Sequence, residues 1–116
     1  MNKYRDKSDF EINKAVAVYL GYTAEYENES VTVFRNNNGG MPLVVSSTAD
    51  SSDNFDPCNN PADAMPIINE YGISLIYQEG EFQFATNDGN YHSGISNPLK
   101  AAMVIFLMMK EADNES

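Results

Sequence analysis

Asn60-Pro61-Ala62-Asp63 and Asn97-Pro98-Leu99-Lys100 are two matching helix starts, each closing a polar stretch and opening an apolar one. An Asn side chain accepts hydrogen bonds from the free N–H groups of a first helical turn, and proline suits the next position because it has no N–H to satisfy. The first start predicts a helix from Asn60 to about Tyr71, with Gly72 as its stop. Pro66 lies inside it, so either the helix kinks there or it begins at Asp63 with Pro66 in its first turn. The second start predicts a helix from Asn97 to about Ala112, with Leu99, Ala102, Met103 and Phe106 on one face. Ala101, Val104, Ile105 and Met108 make its other faces apolar too, and such a helix is buried on more than one side. Either a sheet and another helix flank it or it meets a partner, which makes Ala101, Val104, Ile105, Met108 and Met109 candidate interface residues.

Outward from these starts, Ser8-Asp9-Phe10-Glu11 is a capping box that opens a helix over about 9 to 20. Ile12, Ala15, Val16, Tyr19 and Leu20 recur at helical spacing, which leaves Asp9, Glu11, Asn13 and Lys14 for solvent, and Gly21 ends the helix. After an acidic stretch with Glu25, Glu27 and Glu29, Val31-Thr32-Val33-Phe34 and Leu43-Val44-Val45 flank Asn36-Asn37-Asn38-Gly39-Gly40, the pattern of a hairpin. Residues 46–57, rich in Ser, Asp and Asn, are predicted to form a mobile surface loop. A second hairpin joins Ile73-Ser74-Leu75-Ile76-Tyr77 to Glu81-Phe82-Gln83-Phe84-Ala85-Thr86 through the three-residue loop Gln78-Glu79-Gly80. Tyr91-His92-Ser93 reads as a short extended piece. The predicted order is α-β-β-α-β-β-α: an α+β fold in which two hairpins merge into one four-stranded antiparallel sheet covered by helices, sandwich-like.

The 116 residues suit one domain spanning 1–116 with short flexible termini, and 42% hydrophobic residues mark a globular chain with a modest core. The formal charge of -10, with Lys and Arg numbering only 7, argues against direct nucleic-acid binding, because a phosphate-backbone binder needs clustered cations. The same acidity can serve solubility, a basic partner or DNA mimicry. Cys58 is the only cysteine, which precludes an internal disulfide, and the opening residues lack the apolar stretch of a signal peptide. The apolar run Ala101 to Met109 is too short to span a bilayer.

The residues that could carry chemistry are scattered. Cys58 precedes a helix start, where the macrodipole favours a thiolate, and His92 is the sole histidine available as a base, yet no oxyanion device accompanies them. Asp50, Asp53 and Asp56 lack the alternation and glycine of a calcium loop and read as solvated acids. Glu79 and Glu81 suit an exposed strand face. Met103 reads as core filler, while Met65, Met108 and Met109 can serve a core or an adaptable surface. No catalytic, metal or cofactor residue is assigned from these patterns. Arg35, Tyr91 and His92 are the candidates for binding a small nucleotide-like ligand.

Ser8-Asp9-Phe10-Glu11-Ile12-Asn13-Lys14-Ala15-Val16-Ala17, the block Cys58-Asn59-Asn60-Pro61-Ala62-Asp63-Ala64-Met65-Pro66-Ile67-Ile68, and the Asn97-Pro98 helix with its Ala101-Ala102 pair together resemble the NinX family of lambdoid phages. The middle block is the most specific part, and it departs from the family in carrying Met65 where Trp is more common. The resemblance implies an α-β-α sandwich domain and a non-virion accessory protein, encoded among dispensable genes and made in the host bacterial cytoplasm. It brings no established activity and no catalytic residue. The expected function is therefore non-enzymatic binding of a host or phage protein or small molecule, with self-association through the last helix. A nucleotide sponge, a DNA mimic and a Cys58-dependent hydrolase are the alternatives.

Overall fold

The computed structural model describes residues 4, 6–47, 54–87, 91–93 and 95–115, with backbone alone for 91–93 and 114–115. The elements are α1 (Asp9–Tyr19), β1 (Tyr22–Glu27), β2 (Val31–Asn36), β3 (Leu43–Ser46), α2 (Pro61–Tyr71), β4 (Ile73–Gln78), β5 (Glu81–Asn87), β6 (Tyr91–Ser93) and α3 (Pro98–Glu115). The α+β class holds, but the expected single four-stranded sheet does not form. Each hairpin instead gains a third strand, giving two antiparallel sheets ordered β1-β2-β3 and β4-β5-β6.

The added strand β1 is the acidic stretch after the first helix. It is exposed along nearly its whole length, so apolar alternation could not reveal it. Its pairing with β2 is closed by Asn28, whose Oδ1 accepts from the N–H groups of Ser30 and Val31 at 2.8 and 2.9 Å. Glu25 is the extra residue of a bulge between Ala24 and Tyr26. In the second hairpin the strands close tighter than expected. Gln78 pairs with Glu81, and Glu79 and Gly80 form a two-residue turn with φ of 56° and 83°, the pair of positive angles that suits the twist of the flanking strands.

Helix α1 starts as expected, with the Ser8 hydroxyl accepting from Glu11 N–H at 3.2 Å. The Glu11 carboxylate pairs with Lys14 at 3.2 Å. Helix α2 begins at Pro61 and continues through Pro66, rather than starting at Asp63. Pro66 and Ala62 both face solvent, so the Ala62 carbonyl that loses its helical partner lies on the water side. Gly72, at φ 65°, ends the helix.

Two apolar clusters set the layering. The smaller joins Ala17 of α1 to Phe34 and Val45 of the first sheet. The larger joins Ile12 and Val16 of α1, Ala64, Ile67 and Ile68 of α2, Ile73 and Ala85 of the second sheet, and Ala101 through Leu107 of α3. The first sheet thus packs on α1, α1 on α3, and α3 on α2 and the second sheet. The helices lie between two sheets instead of covering one. Ala101, Val104 and Ile105, expected as interface candidates, are instead fully buried in the chain's own core, while Met108 and Met109 pack against it half-buried. A helix apolar all round is explained here by neighbours on every side.

Ile105 is 0% exposed at the centre of this packing. Ile105→Ala should lose about 2–5 kcal/mol in urea denaturation, and Ile105→Asp should leave no native circular dichroism. A folded Ile105→Asp protein with unchanged melting temperature would contradict the core assignment.

Candidate functional site

The densest polar cluster lies where the three helices begin. Asn97 caps α3, its Oδ1 accepting from Leu99 and Lys100 N–H at 3.0 and 3.3 Å. Its amide nitrogen donates to the Cys58 carbonyl at 2.7 Å and to Asn59 Oδ1 at 3.1 Å. Asn60, two residues past Cys58, caps α2 by accepting from Ala62 N–H at 3.0 Å. The two Asn-Pro starts are therefore tied to each other.

The third start joins through Asp9 and Asn13 of α1. Asp9 accepts from Asn59 Nδ2 at 2.9 Å and pairs with Lys100 Nζ at 3.0 Å. Lys100 stands in the first turn of α3, where the helix dipole disfavours a cation, and the Asp9 carboxylate offsets that. Asn13 donates to Asp56 Oδ1 at 2.8 Å and accepts from Cys58 N–H at 3.2 Å. Asp56 also accepts from Asn59 Nδ2, while its backbone N–H donates to Asp63 Oδ2 at 2.9 Å.

Asn13 and Asp56 were both expected in solvent. Asn13 is instead 2% exposed, because this face of α1 meets the chain between Phe55 and Asn60 and an amide can serve both a donor and an acceptor there. The signal was available in principle, since Asn13 lies four residues after Asp9 and so on the same helix face. Asp56 belongs to the expected mobile loop. Residues 48–53 of that loop, with Asp50 and Asp53, lie outside the described residues, but its last part is built in: Phe55 N–H donates to the Val44 carbonyl at 2.7 Å, the Phe55 ring touches both apolar clusters, and Pro57 is buried.

Burial pushes the Cys58 thiol well above its ordinary value, and the nearby Asp9 and Asp56 carboxylates add to this against the opposing Lys100 charge. The thiol is fully buried, its sulfur 4.0 Å from the Asp9 carbonyl. Any thiolate at the α2 start is thereby disfavoured, and the Cys58 sulfur lies inside the core rather than on the surface. For Asp9, burial would raise the carboxyl, but the hydrogen bonds from Asn59 and Lys100 and the Lys100 charge outweigh it and hold the group below 3.8.

The three ligand candidates sit apart from this cluster. Arg35 is the exposed residue of β2, and its Nε lies 3.5 Å from Glu25. Tyr91 and His92 are on β6 in the other sheet, and their side chains lie outside the described residues. The structure places them on different sheets, on either side of the helices. Sequence reasoning also missed Tyr4, which packs on the larger cluster. Burial and then the Glu111 carboxylate push its hydroxyl well above the ordinary value.

Described helices include none long and apolar enough to cross a membrane. The chain is a mixed α+β domain whose polar cluster joins its three helix starts. The family described as Bacteriophage P22, NinX matches residues 3–110, and the chain belongs to that family. Neither a curated protein nor a solved structure matches the chain.

Two outcomes follow from the burial and charge of the cluster. Cys58 should react with a thiol reagent at the rate of unfolding, with prompt labelling only in denaturant; prompt labelling of the native protein would refute its burial. Because the Asp9 carboxyl is lowered on folding, its contribution is present above its unfolded value near 3.8 and is lost as pH falls through the lower folded value. Asp9→Asn should therefore lower the melting temperature at neutral pH and narrow its difference from wild type in acid. Parallel melting curves across the whole pH range would contradict the pairing.

Proposed function

We propose that this chain is a non-enzymatic phage accessory protein that acts in the host cytoplasm by binding a host or phage component. The observation that carries this reading is the internal satisfaction of the densest polar cluster among the described residues. Asn13, Asp56, Cys58, Asn59 and Asn97 use their donors and acceptors on each other and on backbone, so the cluster offers no free nucleophile beside a free base. Exposed apolar side chains lie elsewhere, among them Tyr26, Met41, Ile76 and Tyr77. Membership of a phage family supports the setting.

The acid distribution bears on the competing DNA-mimic reading, which needs the carboxylates on one face. Glu25 and Glu27 are on β1, Glu79 and Glu81 on the β4–β5 hairpin, Glu70 on α2, and Asp9, Asp56 and Asp63 in the helix-start cluster. Solubility explains such a spread better than mimicry.

Native mass spectrometry of protein purified gently from infected cells tests the proposal. A stoichiometric macromolecular complex is expected, retained at equal occupancy by a folded Cys58→Ala variant. A retained small molecule that the protein converts to a product, with conversion abolished in Cys58→Ala, would overturn it.

A further inference from the structure

Asn38 is the one asparagine of the sequence that precedes a glycine, and the structure sets that pair in the loop between β2 and β3. Residues 37–42 are all exposed. Asn38 N–H donates to Asn36 Oδ1 at 2.9 Å and Gly39 N–H to the Asn36 carbonyl at 3.0 Å, a tight turn that presents both residues at the surface. Gly39 has φ 87°, and a Cβ added there would meet nothing within 4 Å, so open space surrounds the residue. Elsewhere, sequence and fold guard asparagines against attack by the next backbone nitrogen. The helix caps Asn60 and Asn97 precede prolines, whose ring nitrogens have no proton to give up. Asn13 is 2% exposed inside α1, Asn69 lies within α2, and Asn28 is held by the N–H groups of Ser30 and Val31. Asn37 is followed by another asparagine, and its Oδ1 accepts from the Thr23 hydroxyl at 2.8 Å.

We propose that Asn38 is a site of spontaneous modification by water, at which its side-chain amide is lost and the turn between β2 and β3 changes its charge and connectivity. The Gly39 nitrogen, its proton passed to hydroxide, attacks the Asn38 side-chain carbonyl carbon. The new C–N bond closes a five-membered imide ring, and the bond to the amide nitrogen breaks as that nitrogen takes a proton from water and leaves as ammonia. Water then adds to either ring carbonyl and breaks its bond to the Gly39 nitrogen, which takes back a proton. One opening gives aspartate, and the other gives isoaspartate, in which the main chain runs through the side-chain carbon. Glycine favours the first step, because without a Cβ its nitrogen is unshielded and its backbone turns freely. The Gly39 N–H must first release the Asn36 carbonyl, a single bond in an exposed loop whose opening needs no global unfolding. Both products add a negative charge to the formal -10, and isoaspartate also lengthens the main chain where Asn36 grips the Asn38 N–H.

The inference is independent of what the protein binds in the cell. The purified full chain is aged in water carrying heavy oxygen, at mildly alkaline pH, and then cut into peptides whose fragments are sequenced by mass spectrometry. Residue 38 should exchange its amide for a carboxylate bearing one heavy oxygen before any other asparagine does so, with isoaspartate the larger product. The rate should rise with pH, because the attacking nitrogen must lose its proton. Asn38→Gln should lose this labelling while its circular dichroism stays unchanged, since the longer side chain would have to close a six-membered ring. The wild-type localisation stands by itself if that variant fails to fold. An aged wild-type chain in which Asn38 keeps its amide, or in which another asparagine is labelled first, would overturn the proposal, as would labelling of this loop that persists in Asn38→Gln.

Discussion

The Asn97 side chain is the contact on which the rest of the structure depends. Its oxygen closes the first turn of α3 and its nitrogen holds the Cys58 carbonyl, so one residue both starts the central helix and fixes the chain leading into α2. A net gain of about 1 kcal/mol is usual for a helix cap, and leaving a buried donor or acceptor without its partner costs about 1–3 kcal/mol. The larger effect is geometric. With α3 anchored there, α1 is drawn in by Asp9 and Asn13, and three positive helix ends converge among Asp9, Asp56 and Asp63.

The convergence makes the apolar character of α3 possible. From Ala101 to Leu107 every residue is fully buried, which requires neighbours on all sides. Helices α1 and α2 and the second sheet supply them. Tyr71 and Phe106 meet edge to face at 5.0 Å, and Lys110 lies 4.8 Å over the Tyr71 ring, so the core ends in a charged lid whose stem covers aromatic surface. The first sheet joins this body through α1 and through Phe55, whose ring reaches both apolar clusters.

Legibility in the sequence divides along physical lines. The helix starts at Ser8, Asn60 and Asn97 and the glycine at 72 were readable because capping depends on residues close together in the chain. Both hairpins were readable from strand-and-turn pattern. Strand β1 was hidden because an exposed edge strand has no apolar alternation, and without it the two hairpins were assigned to one sheet. The helix-start cluster was half legible. Cys58, Asn60, Asp63 and Asn97 stood out as a motif, whereas Asn13 and Asp56 act across 43 residues of sequence, a distance that no local pattern reports. The burial of Ala101, Val104 and Ile105 within one chain also depends on tertiary neighbours, which a helix apolar on every face cannot name.

The polar residues at the helix starts of this NinX family chain are thus bonded mainly to one another and to backbone. Native-state amide hydrogen exchange tests the underlying claim that the three helix starts form one cooperative unit. The interior amides of α1, α2 and α3 are expected to exchange together, at the rate set by global unfolding, with the exposed strand β1 exchanging earlier. Exchange of α2 through its own local opening, well ahead of α1 and α3, would contradict the claim that the shared polar cluster holds them as one body.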